Sequence, residues 1–184
     1  MSSGAVRRQD LAMPEEELDG FLERGRVVHV GTVGVDGGPY VMPTLYVYAD
    51  RELLLHTTSA PGYFRRNVEA GTRVSFDVME EGAIYPYGRF ACYTSISYAS
   101  VVGFGAIRIE PAPAEKALLF DRFMAKYADA NWQRPQGFYP RLGELTVYRI
   151  AVERLTGKRR ALPSADEQWP ARDNSKTPDA VAPR

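Results

Sequence analysis

Three runs rich in β-branched residues, separated by short turns, most strongly limit how this chain can fold. Residues 26–35 (RVVHVGTVGV) lead into Asp-Gly-Gly-Pro at 36–39, and residues 40–49 (YVMPTLYVYA) lead through an Asp-Arg turn into ELLLHTT at 52–58. β-Branched and aromatic side chains favour strands, and Asp and Gly tolerate the positive φ angles of tight hairpin turns. The pattern predicts three consecutive antiparallel strands. Pro43 has no N–H to donate, so we expect it at an edge, at a bulge or where a ligand replaces a neighbouring strand.

Further strands and three helices are predicted along the rest of the chain. Strand-like patterns occur at 73–80, 89–96, 97–110 and 144–155, and helical patterns at 13–25, 60–72 and 112–128. The helices do not alternate with the strands as they do in a doubly wound fold. We therefore expect a mainly β (α+β) barrel or strongly curved sheet of six or seven antiparallel strands with flanking helices.

Apolar stripes support the first and last of these helices. Residues Leu18, Phe21 and Leu22 share one face of the first helix, and Gly25 is expected to end it in a left-handed conformation. The stripe of the last helix consists of Leu118, Leu119, Phe123 and Tyr127.

Charge and cysteine content exclude several classes of function. Lys plus Arg and Asp plus Glu both number 23, whereas nucleic-acid and membrane-surface binders usually carry a basic excess. The single cysteine, Cys92, permits no disulfide within the chain, which suits a reducing cytoplasm. No signal peptide or membrane-spanning run is evident. We expect a flexible N-terminus at 1–13, one domain at 14–160, and a disordered or partner-clasping tail at 161–184.

Residues 56–67, HTTSAPGYFRRN, gather much anion-binding capacity where a strand should end and a helix begin. The N-terminus of a helix offers free N–H groups and a partial positive charge. Thr57, Thr58 and Ser59 precede that N-terminus, and Arg65 and Arg66 follow about one turn into the helix. A phosphate fits this pattern. The alternative is an ordinary helix with Ser59 as its N-cap and two solvated arginines.

Three segments resemble one known family. Residues 25–78 (GRVVHVGTVGVDGGPYVMPTLYVYADRELLLHTTSAPGYFRRNVEAGTRVSFDV), residues 94–120 (TSISYASVVGFGAIRIEPAPAEKALLF) and residues 145–160 (LTVYRIAVERLTGKRR) follow in order and spacing the pyridoxamine 5'-phosphate oxidase-like flavoproteins. The resemblance spans about residues 15–160 and is greatest to the branch that includes the nitroimidazole-resistance (Nim-type) reductases.

This resemblance implies a split β-barrel that forms a homodimer and holds FMN in the cleft between its subunits. It implies a strand along the flavin ring, a strand end at the ribityl chain and phosphate, a basic helix on the phosphate, and a later segment that closes the site. The strand along the flavin ring corresponds to Val41, Met42, Pro43 and Thr44, and the strand end corresponds to His56, Thr57, Thr58 and Ser59. The basic helix corresponds to Arg65 and Arg66, and the later segment corresponds to Ser95, Ser97 and Tyr98. All of these are implied cofactor-binding residues. Relatives often carry an arginine where this chain has Ala99, so one cationic contact is expected to be missing or supplied elsewhere.

A few single residues carry side chains that could react or bind a metal. His56 is the catalytic candidate, as a proton donor during hydride transfer, although it can equally hydrogen-bond the phosphate or a backbone carbonyl. His29 lies in an apolar strand and is expected in the core. Cys92 lacks an activating neighbour, and the spacing predicts no metal site. Gly103 and Gly105 are expected to permit barrel curvature or the close approach of a neighbour.

The expected function is an FMN-dependent oxidoreductase that takes electrons from a reduced nicotinamide and passes them to a small organic substrate. A strictly pyridoxamine-phosphate-specific oxidase is disfavoured, because residues 157–160 (GKRR) form the only basic cluster near the C-terminus. Two alternatives remain: a flavin carrier or sensor without turnover, and the same barrel binding F420 or haem.

Overall fold

A computed structural model describes residues 6–86, 92, 94–133, 135 and 137–164. Within them the chain forms one antiparallel sheet of seven strands. The strands are β1 (Val27–Val33), β2 (Pro39–Leu45), β3 (Val47–Ala49), β4 (Glu52–Thr58), β5 (Arg73–Pro86), β6 (Thr94–Glu110) and β7 (Leu145–Arg160). The helices are α1 (Glu15–Arg24), α2 (Tyr63–Ala70) and α3 (Pro113–Tyr127), with short 3-10 turns at Gln9–Leu11, Ala130–Trp132 and Leu142–Glu144.

The order of the strands closes the sheet into a barrel. It runs β2-β1-β5-β6-β7-β4-β3, and every neighbouring pair is antiparallel. Strands β2 and β3 lie at opposite edges, yet only Tyr46 separates them along the chain. Because a single residue cannot span a flat sheet of seven strands, the two edges must meet at Tyr46. The predicted antiparallel split barrel is confirmed, but the single strand expected at 40–49 is divided between the two edges.

Two helices enclose the interior of the barrel and the third covers its outside. Helix α1 contributes Leu18, Phe21 and Leu22 to the main core, and α2 contributes Phe64 and Val68. Helix α3 packs outside, where a second core forms from Val47, Leu54, Leu119, Phe123 and Val147. Leu118, which was expected in the stripe of α3, is 45% exposed instead.

Three glycines are required by close approach of their neighbours. Gly25 ends α1 with φ −60°, so the expected left-handed ending is wrong. A Cβ at Gly25 would lie 2.5 Å from the hydroxyl of Tyr46, which explains the glycine. A Cβ at Gly103 would lie 2.1 Å from the ring of Phe76, and one at Gly105 would lie 2.2 Å from a backbone oxygen of β7. Gly105 also follows an irregularity in the β6–β7 register, so the predicted roles of Gly103 and Gly105 are confirmed.

Both predicted hairpin turns are present. In the β1–β2 turn Gly37 has φ 79°, and the N–H of Gly34 donates to the carbonyl of Gly38 at 2.8 Å. In the β3–β4 turn Asp50 and Arg51 have φ 54° and 61°. Positive φ at both central residues matches the twist of the flanking strands, although side chains there cost conformational energy.

The packed part of the chain begins earlier than residue 14. Met13 is 7% exposed, and its N–H donates to the carbonyl of Gly157 at 3.0 Å, while Ala12 forms a bridge to Lys158. Most of the predicted tail, residues 165–184, lies outside the described residues.

The outward side chains of β2, β1, β5 and β6 form an uncovered surface, called here the open face. It carries large exposed apolar side chains at Val27, Val33, Val41, Leu45, Met79 and Val102. Such a concentration marks an interaction or ligand surface. None of the described helices is both long and apolar enough to cross a membrane.

Candidate functional site

Helix α2 joins two parts of the barrel that are distant in sequence. On one side, the Tyr63 hydroxyl donates to Asp36 Oδ1 in the β1–β2 turn at 2.9 Å, and the ring of Tyr63 packs edge-on against Tyr40 at 5.2 Å. On the other side, Arg65 Nη1 donates to the carbonyl of Ser59 at 2.8 Å and to Thr146 Oγ1 of β7 at 3.3 Å. The strand–helix corner, residues 56–66, is therefore fixed to both β2 and β7.

The two arginines of this corner differ in how their charge is neutralised. Arg65 Nε donates to Glu69 Oε1 at 2.8 Å, and this ion pair raises the pKa of the arginine. Arg66 is exposed, donates to the carbonyl of Pro61 at 2.9 Å and lies over the ring of Tyr63. Among the described residues no carboxylate lies within 4.0 Å of Arg66. The Arg66 guanidinium is therefore available to an anionic ligand.

The N-terminus of α2 retains free donors. Its N-cap residue is Gly62, which makes no side-chain cap bond. The expected N-cap, Ser59, lies too early in the chain, and its N–H donates instead to the carbonyl of Glu144 at 2.8 Å. Uncapped N–H groups beside Arg66 supply the donors and the positive charge that a phosphate requires, so these residues fit the phosphate of a nucleotide.

His56 and Thr57, which are adjacent at the end of β4, point to opposite faces of the strand. Thr57 points inward, where its hydroxyl lies 3.2 Å from the hydroxyl of Tyr148, on the same side as Arg65 and Thr146. His56 points outward beneath α3, with its ring centroid 4.9 Å from Phe120 and 5.0 Å from Phe123. Successive strand residues face opposite sides, so His56 does not share a face with Arg65.

His56 occupies an apolar environment. Its Nδ1 is buried and has no hydrogen-bond partner among the described residues. Burial lowers the pKa of His56, because the charged imidazolium would lose its hydration there. The geometry favours a neutral packing residue, and its catalytic role stays a prediction.

Alternation also separates the four residues predicted along the flavin ring. Val41 is 59% exposed, and it lies on the open face together with Pro43. Met42 and Thr44 point toward the interior, where Met42 packs against the main core. Strand β2 is an edge strand, as Pro43 led us to expect, and of these four side chains only Val41 and Pro43 face outward.

The later predicted segment lies far from the strand–helix corner within one chain. Ser97 is 8% exposed and donates to the carbonyl of Ala83 at 3.3 Å, while Tyr98 pairs with Glu81 and Arg160. Across β7, the β6 residue nearest His56 in register is Glu110, which is about 40 Å of strand from Ser97 at 3.3 Å per residue. Among the described residues, no hydrogen bond or ring contact joins Ser95, Ser97 or Tyr98 to the corner.

Ala99 lies in the interior of the barrel. It is 9% exposed and belongs to the main core. An arginine at this position would bury its charge among apolar side chains, which is costly without a partner. The alanine therefore suits the barrel interior of this chain.

His29 is the functional candidate that the sequence interpretation missed. It was expected in the core, but its side chain is 45% exposed on the open face, so that prediction is wrong. Its Nδ1 lies 3.5 Å from Asp77 Oδ2, and its cross-strand neighbour on β2 is Pro43. Val28 and Val30, on either side of His29, are buried, so the side chain of His29 points outward. The sequence alone does not show which face of β1 is buried, and so it did not reveal this direction.

A separate pocket of about 220 Å³ lies between α3 and the start of β7. Phe120 forms part of its wall and also contacts His56, so His56 lies directly behind this pocket. Its lining consists of Phe120, Phe138, Tyr139, Pro140, Arg141, Leu142 and Leu145. The described residues contain no group of three or more His, Cys, Asp or Glu side chains that could hold a metal ion.

Solved structures share this fold. A candidate 5-nitroimidazole antibiotic resistance protein from Bacteroides thetaiotaomicron aligns with TM-score 0.65 and 19% identity, over 80% of this chain and 86% of its own. The flavocytochrome Anf3 from Azotobacter vinelandii aligns with TM-score 0.73 and 19% identity, over 98% and 92%. A FAD and heme binding protein from Mycobacterium smegmatis aligns with TM-score 0.65 and 21% identity, over 84% and 76%.

A search of curated proteins finds no match. The family model described as pyridoxamine 5'-phosphate oxidase matches residues 14–159, which is most of the chain. The order of the strands, the split between β2 and β3 and the strand–helix corner all lie within the matched range. The chain therefore belongs to the pyridoxamine 5'-phosphate oxidase family.

Proposed function

We propose that the protein binds FMN and catalyses the reduction or oxidation of a small organic substrate, with a reduced nicotinamide as electron donor. The observation that carries this proposal is the position of α2. Through Tyr63, this helix places the free charge of Arg66 and the uncapped N–H groups near the β1–β2 turn and the start of β2. A nucleotide phosphate held there leaves its ring system within reach of the open face. Family membership supports a flavin, as do structural neighbours named for FAD, haem and F420 reductase.

The chain's own residues define what this site can do. Arg66 and the first turn of α2 bind the phosphate, and Arg65 fixes the corner by joining Ser59, Thr146 and Glu69. Val41 and Pro43 present an apolar surface against which a flat ring can pack. When bound, the flavin supplies two-electron chemistry, and the protein positions it and excludes water.

A homodimer completes this site. Ser95, Ser97 and Tyr98 lie at the other end of β6 from the corner, so they reach a bound flavin only from a second copy of the chain. The exposed apolar side chains of the open face, among them Val33 and Met79, give that second copy a surface to bury. We therefore propose that FMN lies between two subunits.

The visible spectrum of the purified protein, together with mass identification of the released ligand, tests the cofactor. FMN absorption that bleaches with a reduced nicotinamide and returns with a substrate supports the enzyme. A stably bound flavin that is never reduced or reoxidised favours a carrier or sensor. A Soret band or a deazaflavin spectrum contradicts FMN and assigns haem or F420.

The phosphate assignment is tested by Arg66→Ala, with Arg122→Ala as the matched control. Arg122 is an arginine of α3 paired with Asp50, on an element that does not carry the corner. A charge-assisted contact is worth about 1.5–3 kcal/mol, so Arg66→Ala should weaken FMN binding about 10- to 100-fold. Equal affinities in the two variants would place the phosphate elsewhere.

Light scattering of the FMN-loaded protein tests the proposed homodimer. A mass that corresponds to one chain would contradict it.

A further inference from the structure

His29 and Asp77 form a histidine–carboxylate couple on the open face. Their strands are adjacent and the two residues are direct cross-strand partners. His29 Nδ1 lies 3.5 Å from Asp77 Oδ2, and the side chains are 45% and 44% exposed. The couple is therefore accessible from outside the barrel, unlike His56, whose Nδ1 is buried beneath α3.

The positions directly beside this couple on the open face carry no charged side chain. On the other side of His29 lies Pro43, its cross-strand partner on β2. Beyond Asp77, the partner on β6 is Val102. The remaining neighbours on the same face, two positions along each strand, are Val27, Val41, Leu45, Ser75, Met79, Ser100 and Phe104, while Gly31 adds no side chain. On β7, beyond β6, Arg154 and Lys158 are the cross-strand partners of Phe104 and Ser100, and Arg154 lies 4.5 Å from the ring centroid of Phe104. No second titratable group on β1, β2, β5 or β6 occupies these neighbouring positions, so Asp77 is the charge that faces His29.

An imidazole with a carboxylate behind one nitrogen is a common arrangement for proton transfer. The carboxylate fixes the orientation of the ring and stabilises its protonated form, which leaves the other nitrogen to face a reactant. Here that couple lies beside Val41 and Pro43, the residues proposed to support the flavin ring. A carboxylate and an imidazole on a surface that a second subunit covers need a polar partner or ligand there, because burying them unpaired is costly.

We propose that His29 is the catalytic proton donor of this protein and that Asp77 is its positioning residue. This inference rests on the proposed function, since it assigns a proton donor for a reaction at the flavin. In that reaction a two-electron acceptor, such as a quinone, would receive on one atom a hydride from the anionic reduced form of FMN. A second atom of the acceptor takes the proton from the His29 imidazolium, so the products are the hydroquinone, oxidised FMN and neutral imidazole.

Nuclear magnetic resonance provides a test that does not require turnover. The chain has two histidines, so the ring signals of His29 and His56 are assigned from the variants His29→Asn and His56→Asn. Titration of the full chain with FMN should shift the ring signals of His29 more than those of His56. If FMN binds and the His29 signals do not move, the inference is wrong while the proposed function stands. If no FMN binds, both fail.

Kinetics with a reduced nicotinamide and benzoquinone provide the second test. His29→Asn should bind FMN within about threefold of the wild type and lower kcat by about 100-fold or more, because general acids contribute 10²- to 10⁴-fold. The KM for benzoquinone should change little in His29→Asn, because the histidine is proposed to act on the transferred proton. Asp77→Asn should also lower kcat, because loss of the carboxylate frees the orientation of the His29 ring, and Asp77→Glu should restore part of the lost kcat.

The matched control is Arg73→Gln, which removes one member of the exposed Arg73–Glu153 ion pair and should keep the wild-type kcat. Arg73 lies on β5, the strand of Asp77. A His29→Asn variant with unchanged kcat would overturn the inference. A loss of kcat of about 100-fold in His56→Asn instead of His29→Asn would also overturn it and assign proton donation to His56.

Discussion

The hydroxyl of Tyr127 lies 2.6 Å from the carbonyl oxygen of Tyr46 and 3.2 Å from its amide nitrogen. It also lies 2.9 Å from the carbonyl oxygen of Arg26. Tyr46 is the residue at which the chain leaves one edge of the sheet and joins the other. A side chain of α3 thus supplies backbone hydrogen bonds at the point where the strand ladder is interrupted.

Tyr127→Phe should destabilise the protein by about 1–2 kcal/mol, because the amide of Tyr46 and one carbonyl lose their partner in a half-buried position. Urea unfolding followed by far-UV circular dichroism measures this change. Tyr139→Phe is the control, since the Tyr139 hydroxyl donates to the exposed Asp121. Similar small effects in both variants would contradict a special role for Tyr127.

Lys126 should make stability rise in alkaline solution. Its Nζ donates to the carbonyl of Tyr46 at 3.2 Å and lies 4.2 Å from the ring centroid of Tyr46. Burial lowers the pKa of Lys126 to about 8, from 10.5. Between these values the unfolded chain binds more protons than the folded one, so the free energy of unfolding increases with pH.

The contribution of Lys126 should be about 1 kcal/mol after allowance for solvent screening of a half-exposed amine. Unfolding of the wild type and of Lys126→Met, measured from pH 7 to pH 10.5, gives the difference directly. The free energy of unfolding of the wild type, relative to that of Lys126→Met, should increase as pH rises. A difference that does not depend on pH would show that the amine is not desolvated.

His56 should make the fold sensitive to acid. Burial lowers its pKa below the ordinary value of 6.5, so the unfolded chain takes up a proton on this histidine first as pH falls. The stability that neutral His56 provides is therefore complete above about pH 6.5 and is lost as pH falls through its folded-state pKa. His56→Leu should lose less stability than the wild type between pH 7 and pH 5.

Thermal unfolding at several pH values measures the effect of His56→Leu. The leucine keeps an apolar contact with Phe120 and Phe123 and has no proton to gain. Parallel curves of melting temperature against pH for the two proteins would contradict burial of the imidazole.

Arg51→Gly should stabilise the protein, because it relieves backbone strain in the β3–β4 turn. Arg51 has φ 61°, a conformation that costs a side chain about 1 kcal/mol and costs glycine almost nothing. Its ion pair with Asp19 is exposed, with Nη1 3.4 Å from Oδ1, and such pairs contribute little. Stability should rise by about 0.5–1 kcal/mol in urea unfolding. Ala128→Gly is the control, because Ala128 is exposed and has φ −69°, where a glycine relieves no strain and should slightly destabilise the protein.

The sequence predicted the class of the fold but not how the barrel closes. Periodicity and turn residues indicated an antiparallel sheet and both hairpins, and the family resemblance is confirmed. Residues 40–49, however, form one continuous strand-like run with no turn residues at its centre, and nothing local marks Tyr46 as the point where the chain changes edges. That change depends on Tyr127 and Lys126, which lie about 80 residues later in the chain.

Site residues were harder to predict because sequence proximity hides strand alternation. His56 and Thr57 are neighbours in the chain but lie on opposite faces of β4, and Val41 and Met42 are divided in the same way on β2. His29 was misplaced because both faces of β1 are apolar, so the outward valines Val27 and Val33 look like core residues. The cofactor-binding and catalytic assignments stay predictions until a ligand is bound.

The order of the strands also limits how synthesis and folding proceed. Strand β4 pairs with β3 and with β7, and β7 begins only at Leu145. While the chain emerges from the ribosome, the β3–β4 hairpin therefore waits for the C-terminal strand before it can join the sheet. Long-range closure of this kind is slow. Truncation before residue 145 should leave the nascent β4 edge exposed to chaperones and to aggregation.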